Sequence, residues 1–364
     1  MFELTNEQRK CFALPLVLDS WRKIEVKPGN YDNSVVYAYL DGHRIVKIIM
    51  VCDVVGSEMY YEYGVDALLS DDDTQLMPKT AKGKAKKLTT SNIENITRTG
   101  MALLYNRGVV YVVNSSTNQD YYRSNYEGIK IDNLKDLSDW VEKWCSNTDE
   151  SDLAEIIEFS QRKKVHKKYC EGDFFRFRFN RELYGYGRIL VNYDKMRKEG
   201  VEFWDVFFGK PLCVAVYHMV TNRNDLTPAE LVNYKMLPSQ MIMDNCFYYG
   251  ECEIIGNLPI DSDEDNYTVH YGHSISVLNP HVFHYQSGKT HAIIPEIIGV
   301  KAEYINNSIG WDLEINLPLV LKCVEEKSND PYWKMMPQWK VEDDLRNPKH
   351  RDLLAKIKHR IRVN

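Results

Sequence analysis

The sequence has no Cys-x-x-Cys pair and no long hydrophobic run, and it contains little glycine and proline. Its eight cysteines are scattered, which disfavours both a structural zinc site and a disulfide framework. The longest apolar runs, residues 13–18 and 317–321, are far shorter than the roughly 18 residues needed to cross a bilayer. With 19 glycines and 13 prolines the chain is not collagen-like or of low complexity. Its 364 residues, 44% of them hydrophobic, are enough for about two folded domains.

A strong charge of one sign is also missing. The formal net charge of −6 is spread evenly over the chain, whereas a nucleic-acid-binding domain is normally clearly basic. Glu3, Glu7, Arg9 and Lys10 lie where a signal peptide would need an unbroken apolar region. We therefore expect a cytoplasmic protein without a membrane segment, and the charge favours a protein partner over nucleic acid.

The N-terminal part predicts β-hairpins. Asp41-Gly42-His43 separates two strand patterns, residues 35–40 and 44–51, and Asp-Gly is a strong hairpin signal. Residues 101–113 form a second such pattern, which turns at Asn106-Arg107-Gly108. A sheet of hairpins is therefore expected in this part of the chain.

Two helices are predicted after the hairpins. Asn133 can cap the first, which has apolar residues at helical spacing. Thr148 is expected to cap the second, which continues into the basic residues 161–169 because cations suit a helix C-terminus. We place the domain boundary in this region, with an N-terminal α+β domain over residues 1–165 and a second domain over residues 166–364.

The second domain shows the pattern of short strands. Phe175, Phe177 and Phe179 alternate with arginines, as in a half-buried strand. Similar short patterns follow, and residues 317–324 and 350–362 predict helices near the C-terminus. The expected fold class is α+β, in which the second domain is a β-rich small barrel or sandwich with C-terminal helices.

The strongest local feature is Tyr184-Gly185-Tyr186-Gly187-Arg188, which follows Gly172-Asp173 closely. The favoured interpretation is a structural one, because two strand glycines allow a close approach of the neighbouring chain and tyrosines pack well on a sheet. The functional interpretation is a surface of aromatic rings and one arginine, the composition of interface hot spots. A dinucleotide fingerprint is excluded, since Leu190 replaces its third glycine.

Five histidines lie between positions 270 and 291. His270 and His273, together with Asp244, are candidate ligands of a metal-dependent hydrolase. Residues three apart on a strand point to opposite faces, so the spacing favours structural or surface histidines unless a bulge at Gly272 brings the pair together. No metal or other cofactor is therefore expected. A cysteine nucleophile, Cys246 or Cys252 beside a histidine, is left open.

Two segments are rich in basic residues. One contains Lys79, Lys82, Lys84, Lys86 and Lys87, and the other spans residues 346–364 with the single acid Asp352. Either segment can contact phosphates or an acidic partner, but solvated loop and helix surfaces are the more ordinary interpretation. Nucleic acid is accordingly the least favoured partner.

The order of several motifs resembles the bacterial immunity protein 26 family, also labelled phosphotriesterase HocA-like. Beyond Gly172-Asp173 and the Tyr-Gly-Tyr-Gly-Arg motif, the resemblance rests on Pro238-Ser239-Gln240, Met243-Asp244-Asn245, Phe247-Tyr248-Tyr249-Gly250-Glu251, Gly310-Trp311, Asp330-Pro331-Tyr332-Trp333 and Asp344-Leu345-Arg346-Asn347-Pro348. It covers most of residues 170–350, and residues 1–165 look like an N-terminal extension of unknown role.

The resemblance implies a non-enzymatic protein that neutralises a bacterial toxin by binding it. Its second label leaves a metal-dependent hydrolase of phosphotriester-like substrates as the alternative, but no catalytic residue carries over to these positions. The predicted toxin-binding surface comprises Asp173, Tyr184, Tyr186, Arg188, Tyr248 and Tyr249. On this hypothesis, Arg188→Ala weakens toxin binding and leaves the fold intact.

Overall fold

In the computed structural model, the chain divides into two compact units, Met1–Val165 and His166–Asn364. The structure describes residues 2–26, 33–78, 82–198, 209–237, 239–260, 269–273, 283–287, 289–294, 305–306, 311–312, 314–325 and 348–363. Strands dominate both units and helices accompany them, which confirms the α+β class. Over these ranges, no helix is both long and apolar enough to cross a membrane.

The first unit is built on one antiparallel sheet. Its strands are β1 (Arg22–Val26), β2 (Val35–Asp41), β3 (Arg44–Cys52), β4 (Met59–Leu69), β5 (Gln75–Met77), β6 (Lys86–Lys87), β7 (Arg98–Asn106), β8 (Val109–Asn114) and β9 (Gln119–Arg123). Its helices are α1 (Asn6–Lys10), α2 (Thr90–Ile93), α3 (Leu134–Ser146) and α4 (Glu150–Ser160), with a 3₁₀ turn at Ser124–Glu127. The main strand order is β1-β2-β3-β4-β7-β8-β9, and β5 pairs with β4 and β6.

The second unit contains two sheets over the described residues. Its strands are β10 (Asp173–Arg178), β11 (Tyr184–Asn192), β12 (Pro211–Val216), β13 (Gln240–Met243), β14 (Glu253–Asn257), β15 (Val269–His273), β16 (Phe283–Ser287), β17 (Thr290–Ile294), β18 (Ile305–Asn306) and β19 (Trp311–Asp312). Its helices are α5 (Tyr193–Lys198), α6 (Pro228–Leu231), α7 (Asn245–Tyr248), α8 (Leu317–Glu325) and α9 (Arg351–Val363), with a 3₁₀ turn at Pro348–His350.

The larger sheet of the second unit is open. Its order is β14-β10-β11-β12-β13-β19, with a parallel pairing only between β13 and β19, and the smaller sheet has the order β17-β16-β15-β18. Within the described ranges the sheets do not close into a barrel, because β14 and β19 are the two edges of the larger one. The expected C-terminal helices are present as α8 and α9.

The predicted hairpins of the first unit are confirmed, and one helix boundary is corrected. Asp41 lies opposite Arg44 and Asn106 opposite Val109, so both turns occur where the sequence places them. Asn133 caps α3 as predicted, accepting from the backbone amides of residues 135 and 136. The cap of α4 is Asp149 rather than Thr148, whose hydroxyl donates to the Trp144 carbonyl oxygen.

Helix α4 ends at Ser160, so the expected helix through residues 161–169 is wrong. Residues 161–168 are all exposed. Without an apolar stripe to pack on the unit, favourable charge at the C-terminus does not prolong a helix. Residues 162–170 have no regular secondary structure, and the second unit begins at His166.

Each face of the first sheet carries a hydrophobic core. One face packs against α1, α3 and α4, where the Phe12 ring stacks on Trp144 with 5.4 Å between centroids. The other face is buried partly by the segment that carries β5 and α2, through Leu76 and Ile93. Burial on both faces explains why strands such as β3 are apolar at nearly every position.

A buried ionic network joins α1 to the sheet. The Glu62 carboxylate is fully buried and accepts hydrogen bonds from Arg9 Nε at 2.7 Å, from Lys47 and from the Tyr60 hydroxyl. Burial lowers the pKa of Lys47, although the charge of Glu62 acts in the opposite direction. Burial is also the main cause that raises the pKa of Tyr60, and the charge of Glu62 is the second. Two buried cations therefore share the buried Glu62 carboxylate, and Arg9 also pairs with Glu3 at 3.4 Å.

We predict that Glu62→Ala destabilises the first unit by about 3–5 kcal/mol, because removal of one partner leaves buried charges uncompensated. The measurement is urea unfolding of the full chain, with hydrogen exchange of β3 and β4 to assign the loss to this unit. Glu25→Ala, an exposed glutamate on β1, is the control and is expected to change stability by less than about 0.5 kcal/mol. Equal effects of the two substitutions would contradict the network.

Candidate functional site

The Tyr-Gly-Tyr-Gly-Arg motif lies in β11, where its glycines make room for aromatic rings of β10. Gly185 pairs with Phe177 and Gly187 with Phe175 across the two strands. A Cβ atom on either glycine would lie 2.3 Å from the Cζ atom of that phenylalanine. Only glycine fits at these two positions unless the rings move, so the motif's glycines are explained by packing.

The tyrosines of the motif lie on the opposite face of β11 and are buried. Tyr186 is 0% exposed, and its hydroxyl donates to the Arg223 carbonyl oxygen at 2.8 Å. Tyr184 is 9% exposed and accepts a hydrogen bond from Arg178 at 2.7 Å. Both rings belong to a core cluster that includes Phe174, so they stabilise the sheet rather than form an open surface.

Arg188 and Asp173 are also buried and make hydrogen bonds within the unit. The Arg188 guanidinium lies 4.8 Å from the Phe174 ring centroid and donates to the carbonyl oxygens of Leu258 and Pro259, each at 2.8 Å. The Asp173 carboxylate accepts from the Cys170 amide at 2.6 Å and from Asn257 at 2.8 Å. Burial gives these side chains a clear structural role, and their predicted contact with a partner stays a prediction.

Tyr248 and Tyr249 are placed differently, because both are partly exposed. The Tyr248 ring stacks on His166, with 4.1 Å between centroids and 19° between planes. Tyr249 meets Tyr248 edge-on at 5.2 Å, and Lys210 Nζ lies 5.4 Å from the Tyr248 centroid. We call His166, Lys210, Tyr248 and Tyr249 the Tyr248 cluster. It combines rigid aromatic area with a cation at the surface, as interface hot spots do.

Helix α7 fixes the Tyr248 cluster to the sheet. Phe247, next to Tyr248, is 0% exposed and packs edge-on against Phe175 at 4.9 Å. The Asp244 carbonyl oxygen accepts from the Tyr248 amide at 2.8 Å, while its carboxylate accepts from the Tyr169 hydroxyl at 2.7 Å. Burial and this hydrogen bond raise the pKa of Tyr169 far above its usual value. Tyr169 therefore stays protonated and holds Asp244 in place.

Tyr169 also lines a pocket of about 370 Å³. Its lining residues are Tyr169, Cys170, Glu171, Asn192, Asp194, Lys195 and Lys198. We call it the Lys195 pocket. Tyr169 both lines the pocket and donates to Asp244 at the start of α7, so the pocket lies close to the helix that carries Tyr248.

Among the residues that the structure describes, no three histidine, cysteine, aspartate or glutamate side chains lie together so that they could hold a metal ion. Asp244, one candidate ligand, is hydrogen-bonded to Tyr169 and lies 3.9 Å from Lys210. His270 and His273 both occur in β15, opposite Gln286 and Phe283 of β16, but their side chains lie outside the described part. The metal-binding alternative therefore stays a hypothesis from the sequence.

Two thiols of the second unit, the buried Cys252 and the exposed Cys170, do not resemble activated nucleophiles. Burial raises the pKa of Cys252 well above its usual value, and the neighbouring Cys246 thiol adds to the effect. Desolvation and a hydrogen bond to Asp173 raise the pKa of Cys170 as well. Because the thiolate is the reactive form, Cys170 and Cys252 lack the low pKa that a cysteine nucleophile needs.

Sequence reasoning missed His166, Tyr169, Lys195 and Lys210. The first two lie in the segment expected to be helical, and their contacts with residues about 80 positions away are long-range. The signal that was present is the aromatic and charged composition of residues 166–169 directly before Gly172-Asp173. This composition does not indicate that His166 stacks on Tyr248.

We predict that Arg188→Ala lowers the stability of the second unit by about 1.5–3 kcal/mol, because the carbonyl oxygens of Leu258 and Pro259 lose a charged donor and the buried guanidinium no longer packs on Phe174. Hydrogen exchange at β10 and β11, together with urea unfolding, measures the loss. Lys168→Ala, at an exposed lysine, is the control and should leave both unchanged. A stable Arg188→Ala protein with weakened partner binding would instead support the direct contact predicted from the sequence.

Comparison with known proteins gives one match. The family model described as Immunity protein 26 matches residues 170–281, slightly under a third of the chain. No curated protein and no solved structure matches. The match includes β10, β11 and α7. The resemblance inferred from the sequence is thus confirmed: over residues 170–281 the chain is similar to Immunity protein 26.

Proposed function

We propose that this protein neutralises a bacterial protein toxin by binding it, and that the Tyr248 cluster contacts the toxin. The match to the family model described as Immunity protein 26 supports an immunity role. It also covers the segment that carries α7 and its tyrosines. The partner implied by that description is a protein. The proposal does not assign a role to the first unit.

The Tyr248 cluster is the observation that favours binding through this surface. Its rings are held before any partner arrives, by the stacking on His166 and by the anchoring of Phe247 in the core. Preorganised tyrosines lose little conformational entropy on binding, which is why they often supply much of the energy of an interface. Occlusion of the toxin therefore needs no chemistry from this chain.

The function is tested by capture of the toxin. The tagged full-length protein is used to retrieve partners from nuclease-treated extracts of its source cells, and bound proteins are identified by mass spectrometry. Expression of the captured protein alone is expected to arrest growth of a heterologous host, and co-expression of this chain is expected to restore it. A captured protein that does not arrest growth, or arrest that this chain does not relieve, would reject the immunity role.

The alternative hydrolase makes a different prediction for the same purified protein. It requires a transition metal bound near one equivalent, or activation of phosphotriester hydrolysis by added metal. The immunity proposal expects neither, and it expects growth to be restored in cells depleted of transition metals. If a His270→Ala variant loses both metal-dependent hydrolysis and the ability to restore growth, the hydrolase is favoured.

We predict that Tyr248→Ala weakens binding of the captured toxin about 30-fold, equivalent to ~2 kcal/mol, since it removes a central aromatic anchor. Titration calorimetry with the purified toxin measures the change. Tyr234→Ala removes a tyrosine that is 45% exposed elsewhere on the same unit, and binding should stay within about twofold of the wild-type value. If Tyr234→Ala weakens binding as much as Tyr248→Ala, the Tyr248 cluster is not the contact.

A further inference from the structure

The surface around the Lys195 pocket is positively charged although the chain as a whole is acidic. The charged residues in and next to it are Lys167, Glu171, Asp173, Asp194, Lys195, Arg197, Lys198, Lys210, Asp244 and Lys289. Six of these carry positive charge and four carry negative charge. The local excess is therefore opposite in sign to the net charge of −6.

Burial separates these charges by depth. The side chains of Asp194 and Asp244 are 10% and 9% exposed, whereas those of Lys198 and Lys210 are 70% and 49% exposed. The carboxylates thus lie inside and the ammonium groups outside. A partner that approaches from solvent meets mainly positive charge.

The pocket's own acids are already neutralised. Asp194 accepts from Arg197 at 2.5 Å and from Lys198 at 2.6 Å, and these hydrogen bonds outweigh burial and lower its pKa. Glu171 accepts from the Asn192 amide at 3.0 Å and pairs with Lys289. Lys195, in contrast, is exposed and has no carboxylate partner among the residues that the structure describes.

The pocket and the Tyr248 cluster share their supports. Arg197 donates to the Gly209 carbonyl oxygen at 2.8 Å, and the next residue, Lys210, lies against both Tyr248 and Asp244. An aromatic anchor and an adjacent cationic pocket therefore form one face. Aromatic contacts beside exposed cations suit a protein surface that bears carboxylates.

We infer that this face docks an acidic surface of the partner protein, with a glutamate or aspartate side chain of the partner entering the Lys195 pocket beside Tyr169. The inference rests on the proposed function and adds the chemistry of the toxin surface that is recognised. An acidic protein is favoured over nucleic acid because the pocket, at about 370 Å³, is small and lies near a compact tyrosine pair, whereas single-stranded nucleic acid is bound by grooves that follow several nucleotides. Charge attraction of this kind acts mainly on the rate of association.

The test compares association of the captured toxin with the wild-type chain, Lys195→Ala, Lys195→Glu and Lys358→Glu. Lys195→Glu is expected to slow association about tenfold at low salt, Lys195→Ala less, and the difference is expected to shrink as salt rises. Lys358→Glu reverses an exposed lysine of α9 and is expected to have no effect beyond about twofold. Circular dichroism and thermal melting verify that each variant is folded.

Each outcome separates the inference from the function. The inference is overturned if the captured toxin associates with Lys195→Glu as fast as with the wild-type chain, or if Lys358→Glu slows association equally. Either result leaves the immunity role unaffected. A captured acidic protein that shows Lys195-dependent association but does not kill a host rejects the immunity role and retains the acidic docking face. Labelled DNA and RNA oligonucleotides are tested in parallel, and Lys195-dependent binding of either would overturn the inference in favour of nucleic acid. Failure to capture any acidic protein also overturns it.

Discussion

The packing of phenylalanine rings over two glycines is the constraint on which the second unit depends. Because Gly185 and Gly187 lack side chains, the rings of Phe175 and Phe177 can lie directly against β11. That arrangement sends the tyrosines of β11 into the core on the opposite face. It also presents Phe175 to Phe247, which anchors α7. The position of the Tyr248 cluster is thus a consequence of the β10–β11 pairing.

Local signals made much of the fold predictable. The Asp-Gly turn and the Asn133 cap act within a few residues, so the sequence is sufficient to identify them. The end of α4 was not predictable by the same means, because charge at residues 161–169 suits a helix terminus but does not supply packing. Sheet closure depends on which edges meet, a long-range property, and the barrel or sandwich alternatives could not be separated from strand patterns alone.

The candidate site was predictable only in part. Alternation along β11 indicates that Tyr184, Tyr186 and Arg188 share a face, but it does not indicate whether another layer covers that face. In the structure that face is buried in a core cluster with Leu226 and Leu231, which lie outside the sheet in the segment that carries α6. Tyr248 and Tyr249 were named from the same motif order and lie at the surface. What distinguishes the two groups is tertiary packing, which composition and spacing do not encode directly.

Net charge is an equally indirect guide to a binding surface. The chain is acidic overall, yet near the Lys195 pocket Asp194 and Asp244 are buried while Lys198 and Lys210 are exposed. Each buried carboxylate is held by a cation or by a hydroxyl, as burial of charge demands, and the cations that hold it project towards solvent because lysine side chains are long. Stabilisation of buried acids thus places positive charge on the surface above them. A docking face for acidic groups arises from the same contacts that hold Tyr169 and α7 to the sheet.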